Sequence, residues 1–192
     1  MKYTKILPVL LAAGALTVAG CGDDSSSDTG ASAAGNAVDR AFIADMVPHH
    51  QSAVTMAKIA QDRGESAFVK QLAADIVRTQ NQEIQLMRRE DQTLAEAGIE
   101  KGSLGVPEHM MGMDADVESL KTAKPFDKAF ITEMIPHHEG AVTMAKAELS
   151  KGKSTKLKLL AQDVITAQER EIAAMRKHIG AEASDQMGGH SG

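Results

Sequence analysis

Two adjacent histidine pairs, His49-His50 and His137-His138, each follow a proline and sit among methionines at fixed spacing. The run Met46-Val47-Pro48-His49-His50 returns as Met134-Ile135-Pro136-His137-His138, 88 positions later, and Met56 and Met144 follow at the same offset. Imidazole nitrogen and thioether sulfur, with no thiol beside them, form a donor set suited to copper. Thioether is soft and favours Cu(I), whereas imidazole binds both Cu(I) and Cu(II). Methionine alone would decide nothing, because it is also an ordinary filler of irregular cores. The histidines carry the argument, since a helix pair packs without them. The candidate metal ligands are therefore Met46, His49, His50, Met56, Met134, His137, His138 and Met144.

The repeat is wider than these residues. Positions 39–58 align without a gap on 127–146 with 14 of 20 identical, and 70–88 align on 158–176 with 9 of 19 identical. Met46 lies three and four residues before the histidines and Met56 seven after His49, spacings that share one helix face. Asp45 and Glu133 stand four residues before His49 and His137, where a carboxylate could orient an imidazole. In the second half of each repeat, Glu83 and Glu171 fall in the middle of an apolar stripe beside Met87 and Met175. An unpaired buried carboxylate costs several kcal/mol, so the histidines of facing helices are natural partners. Whether Glu83 serves the histidines of its own hairpin or those of the other is open at this level. A further cluster, His109-Met110-Met111-Gly112-Met113, places a histidine and three methionines in five residues between the repeats. His109, Met110, Met111 and Met113 are secondary candidate ligands.

These residues must be positioned by helices. Alternating β-branched or aromatic runs are scarce, and Ala, Glu, Gln, Lys, Met and Leu dominate. Apolar periodicity and cap residues predict helices over 38–63, 66–97, 126–150 and 155–179, with Gly64, Gly98 and Gly180 as stops. Short links inside each pair make antiparallel hairpins. The expected fold is all-α, a four-helix bundle built from two duplicated helical hairpins with approximate two-fold symmetry. The long link 98–125 joins them and carries a small helix near 115–122. Pro48 and Pro136 lie inside otherwise continuous helical patterns, so a kink is expected just before each histidine pair.

The ends have their own character. Residues 1–20 read as an export signal: Lys2 and Lys5, then an apolar stretch too short to span a bilayer, then Val18-Ala19-Gly20 before Cys21. Cys21 is the only cysteine, and its setting is similar to the lipobox of bacterial lipoproteins, which implies lipidation and a membrane anchor. Residues 21–37 form the lipidated cysteine and a flexible tether, 38–180 the bundle, and 181–192 a flexible tail. With one cysteine no disulfide forms within the chain, so packing must hold it together. Net charge is −5 and aromatic content 3%. Nucleic-acid binding needs clustered cations and stacking aromatics, so it is excluded as a function.

The pattern Phe-Ile-x-(Asp/Glu)-Met-(Val/Ile)-Pro-His-His-x-x-Ala-Val-x-Met-Ala, followed by Gln-x-x-Glu-Ile-x-x-Met, resembles the exported bacterial family of domain of unknown function 305, the CopM-like proteins. The resemblance covers residues 38–179 and both copies of the motif are intact. It implies a ferritin-like four-helix fold and copper as the bound ion, held by Met46, His49, His50 and Met56 and by Met134, His137, His138 and Met144.

The reading is thus an extracytoplasmic, membrane-tethered copper-binding protein that scavenges, buffers or carries copper. Its partners would be the metal ion, the membrane through the lipid, a copper-handling protein and, as a homo-oligomer, further copies of itself. One alternative is a metal-free structural or envelope-interaction module. Another is a ferritin-like di-metal oxidase, which uses glutamates on all four helices and a Glu-x-x-His pair on two of them. No Glu-x-x-His occurs in the chain, and no catalytic constellation is found.

Overall fold

The computed structural model describes residues 35–188. The export signal, Cys21 and most of the tether lie outside the described residues. Five helices and no strand are found among them: α1 (Ala37–Arg63), α2 (Ala67–Glu96), the short α3 (Val117–Leu120), α4 (Phe126–Lys151) and α5 (Thr155–Gly188). No described helix is long and apolar enough to cross a membrane.

Local chemistry sets the ends. Asn36 caps α1, its side chain accepting from the Val38 and Asp39 amides while the Asp39 carboxylate accepts from the Asn36 amide. Ser66 and Ser154 accept from the Val69 and Leu157 amides at the starts of α2 and α5. Gly64 and Gly152 close α1 and α4. The sequence signals place the end of the last helix at residue 179, but α5 runs on through Gly180 to Gly188. A single internal glycine costs only about 1 kcal/mol relative to alanine, and Ala181-Glu182-Ala183 beyond it favour helix. Likewise α1 and α4 continue through Pro48 and Pro136.

Within each hairpin the helices pack along their length, α1 on α2 and α4 on α5. The hairpins meet mainly through α1 and α4, and α2 and α5 barely touch. Two aspartates lock this arrangement. Asp39 of α1 accepts from the Lys153 and Ser154 amides in the α4–α5 turn (3.1 and 2.9 Å). Asp127 of α4 accepts from the Glu65 and Ser66 amides in the α1–α2 turn (both 2.8 Å). Each hairpin therefore uses its first-turn aspartate to hold the turn of the other.

The core is split in two. One apolar cluster contains Phe42, Met46, Ile84, Met87, Met144, Ala145, Leu160 and Val164. The other contains Phe130, Met134, Ile172, Met175, Met56, Ala57, Leu72 and Ile76. The 88-residue offset carries each residue of the first set onto one of the second. Every long helix thus leaves one cluster, crosses the middle of the bundle and enters the other.

The link joins the hairpins lengthwise along the α1/α4 side. Arg40 donates to the Ile99 carbonyl (2.7 Å), the Gly102 amide donates to Ala37, and Lys151 donates to Leu104. Arg63 then binds the Leu120 and Ala123 carbonyls around α3. Between these anchors lies a single 3-10 turn, Glu108–Met110.

Candidate metal centre

What crosses the bundle between the two apolar clusters is polar. On α1 the segment from Met46 to Ala53 contains His49 and His50, and on α4 the segment from Met134 to Ala141 contains His137 and His138. On α2 Gln80 and Glu83 separate Ile76 from Ile84, and on α5 Gln168 and Glu171 separate Val164 from Ile172. All four histidines are buried, with at most 1% of their surface exposed.

The partners are specific. The His50 Nε2–H donates to Glu83 Oε2 at 2.7 Å, and the His138 Nε2–H donates to Glu171 Oε2 at 2.7 Å. Each glutamate therefore serves the second histidine of its own hairpin, which answers the pairing question. His49 and His137 meet across the pseudo-two-fold, their ring centroids 3.7 Å apart and their planes tilted by 35°. His49 Nε2 lies 3.0 Å from the His137 carbonyl, which can only accept, so that nitrogen carries the proton.

These bonds fix tautomers. In the neutral imidazole, Nε2–H given to a carboxylate or carbonyl leaves Nδ1 of His49, His50 and His138 as a bare lone pair. All three Nδ1 atoms, and both ring nitrogens of His137, are buried with no hydrogen-bond partner in the protein. The side-chain carbonyl oxygens of Gln80 and Gln168 are likewise unpaired. Each such atom costs about 1–3 kcal/mol when buried unsatisfied. Burial, then the neighbouring His50 and His138, push His49 down to about 3, while the His137 carbonyl pulls the other way. Burial and the facing imidazoles lower His137 further. Both rings are neutral at ordinary pH, the form that a metal requires.

The methionines flank this layer. Met46, Met87 and Met144 belong to one apolar cluster, and Met56, Met134 and Met175 to the other. All six are fully buried. Sulfur and imidazole are thus adjacent in depth, but the sulfurs lie among aliphatic neighbours rather than around one shared point. Among the described residues no group of three His, Asp or Glu side chains forms a ready-made cage.

Two sequence expectations need correction. Asp45 and Glu133 do not orient His49 and His137. The His49 Nε2 is taken by a backbone carbonyl and both His137 nitrogens are unpaired. Asp45 instead lines a cleft with Pro48, Met111 and Met113, and Glu133 accepts from the Asp116 amide at 3.2 Å. Four residues along a helix brings side chains to one face, but here the rings turn inward and the carboxylates face the link. In the link, His109, Met110 and Met113 are exposed while Met111 is half-buried against α4. Sequence reasoning missed the turn-binding role of Asp39 and Asp127, although both are retained in the repeat. It also missed the buried acid Glu148. Glu148 has alanine (Ala60) at its twin position, a break in the repeat that could have marked it.

A duplicated four-helix bundle with a histidine layer between two equivalent cores defines a ferritin-like helical class. Within that class the chain belongs to the family described as Domain of unknown function (DUF305), whose profile matches residues 17–90 and 90–179. CopM in the Cu(I)-bound form is 33% identical with a TM-score of 0.64, covering 74% of this chain and 96% of that one. CopM in the Cu(II)-bound form is 36% identical, TM-score 0.63, covering 72% and 93%. A DUF305 fragment from Deinococcus radiodurans is 30% identical, TM-score 0.61, covering 75% and 96%. An uncharacterized protein of Acanthamoeba polyphaga mimivirus is 43% identical over 49 residues, 26% of this chain, and the match spans about a third (32%) of that relative.

Proposed function

We propose that this protein binds copper at the histidine layer and acts outside the cytoplasm as a scavenger, buffer or carrier of the ion. The observation that carries the reading is the state of the imidazoles. Metal-ligating histidines give their second ring N–H to a carboxylate or backbone carbonyl, which fixes the ring and leaves a lone pair for the ion. His50 with Glu83, His138 with Glu171, and His49 with the His137 carbonyl all have this arrangement, and each bare Nδ1 is buried.

Four imidazole donors, with His137 free at both nitrogens, suit copper in either oxidation state. The thioethers of Met46 and Met144 on one side and Met56 and Met134 on the other would add soft donors favouring Cu(I). Copper bound to CopM supports the choice of metal. Residues 1–20 and Cys21 support export and lipid anchoring, as read from the sequence. A copper-handling partner protein and self-association remain part of the same reading.

A second reading has one observation in its favour: the sulfurs are embedded in apolar clusters and no three-carboxylate-or-imidazole cage exists among the described residues. In it, the His–Glu pairs set the register of the two hairpins and no metal binds. Anaerobic Cu(I) titration against a chromophoric chelator separates the two. The copper reading expects uptake by the wild-type protein and weakened uptake in both His49→Ala/His50→Ala and His137→Ala/His138→Ala. Absence of any uptake by the wild-type protein selects the structural reading.

A further inference from the structure

The two-fold symmetry of the bundle is broken on one side, where the link lies against α4. The contact is made by backbone. A Cβ added at Gly140 would stand 2.0 Å from the Met111 carbonyl oxygen and 2.6 Å from the Gly112 amide nitrogen. A Cβ at Gly112 would stand 2.6 Å from the Pro136 carbonyl and 3.0 Å from the His137 Cα. Gly112 also has φ +69, which suits glycine. The twin of Gly140 in the first hairpin is Ser52, so the helix itself tolerates a side chain there. The link is what demands glycine at 140.

The Met111–Gly112 peptide therefore lies against the α4 backbone from Pro136 to Gly140, across His137. Outside it opens a cleft lined by His109, Met110, Glu133, His137, Glu139 and Gly140. His109 and Met110 are exposed, so the mouth presents an imidazole and a thioether to solvent, beside the half-buried Glu133 and beside Glu139, which pairs with Arg176. His137 is 1% exposed and neither of its ring nitrogens has a partner.

We propose that this cleft is the port by which copper ions reach the buried histidines and that the Met111–Gly112 peptide is its gate, closed in this structure by its contact with Gly140 and opened by lifting of the link. The proposal rests on the reading of the histidine layer as the copper site. The Glu133 carboxylate at the mouth attracts the cation, and His109 and Met110 hold it briefly. The ion passes to His137 and His49 only when the peptide moves aside. A buried site behind a closed peptide takes up its ion no faster than the open form is populated, and minor open states commonly make up about 0.1–10% of a protein.

The test is stopped-flow transfer of Cu(I) from a chromophoric chelator complex, under anaerobic conditions, to the wild-type protein and to Gly140→Ala. Alanine favours the α4 helix while its Cβ displaces the link. Amide hydrogen exchange over residues 109–115 reports whether the link has moved, and exchange in α2 and α5 reports whether the bundle is intact. The gate expects transfer about tenfold faster or more in Gly140→Ala, from the removal of a closed state at least ten times more populated than the open one. In the wild-type protein it expects a transfer rate that levels off at the opening rate as donor concentration rises. This second readout does not depend on any variant folding. An unchanged rate in Gly140→Ala with the link displaced, or a wild-type rate that climbs linearly without a plateau, overturns the gate and leaves copper binding standing. Failure of the wild-type protein to take up Cu(I) at all overturns the underlying reading instead.

Discussion

Glu83→Leu removes the one acceptor for His50 and keeps a side chain of similar bulk. In the folded protein the His50 Nε2–H would then be buried with nothing to receive it, because His50 has no exposed surface. A buried donor left unpaired costs about 1–3 kcal/mol, and the upper half of that range applies when the lost bond went to a charged group. Glu83 keeps 18% of its side chain exposed, so a water can recover part of the loss; Glu171 keeps only 11%. We therefore expect about 2 kcal/mol for Glu83→Leu and somewhat more for Glu171→Leu at the twin position. In a domain of this size each kcal/mol moves the melting temperature by about 2–4 °C, which predicts a fall of roughly 4–8 °C in the metal-free protein, read by circular dichroism. Copper affinity should fall about 10–100-fold, because the ring loses the group that holds it in orientation. Both effects come from one bond. Unchanged melting together with unchanged copper competition in Glu83→Leu would refute the reasoning from tautomer to ligand.

Other consequences concern stability. Asp39→Ala frees the Lys153, Ser154 and Asn36 amides at once, and Asp127→Ala frees those of Glu65 and Ser66. Urea unfolding should show losses of about 2–3 kcal/mol each, larger for Asp39. Glu148 is fully buried, and burial first, then the neighbouring Asp39 carboxylate, push it up to about 8. Its protonated form is favoured in the folded state, so its stabilising effect is complete below its ordinary value of 4.5 and is lost as pH rises through about 8. Glu148→Gln should flatten that decline when urea midpoints are compared across pH 5–9, a range chosen to bracket the shift at about 1.4 kcal/mol per unit. Gly152→Ala should cost stability too, since its Cβ would stand 2.1 Å from Oε1 of the fully buried Glu148, whose carboxyl would have to shift.

Much of the architecture is legible in the chain. Helices 1, 2 and 4 begin and end within a residue or two of where caps and periodicity place them, because Asn36, Ser66, Gly64 and Gly152 act locally. The small helix in the link also appears, at Val117–Leu120. The duplication made the pairing of hairpins readable as well. What periodicity could not supply was any relation set by how the hairpins cross. His49 and His137 are 88 residues apart, and their 3.7 Å approach depends on the angle between α1 and α4. The same crossing sorts the methionines into two separate clusters, where helical spacing alone suggested convergence. The path of the link over Gly140 was equally hidden, because a glycine inside a helix does not announce what lies against it. Asp45 and Glu133 illustrate the limit well: four residues put them on the right face, yet side-chain direction sends them to the link.

The most direct test of the central claim is an anomalous-difference map from crystals of the protein loaded anaerobically with Cu(I). The account predicts a peak between α1 and α4, against Nδ1 atoms of the four-histidine layer. Peaks confined to His109, Met110 and Met113 on the surface, with the layer empty, would contradict it.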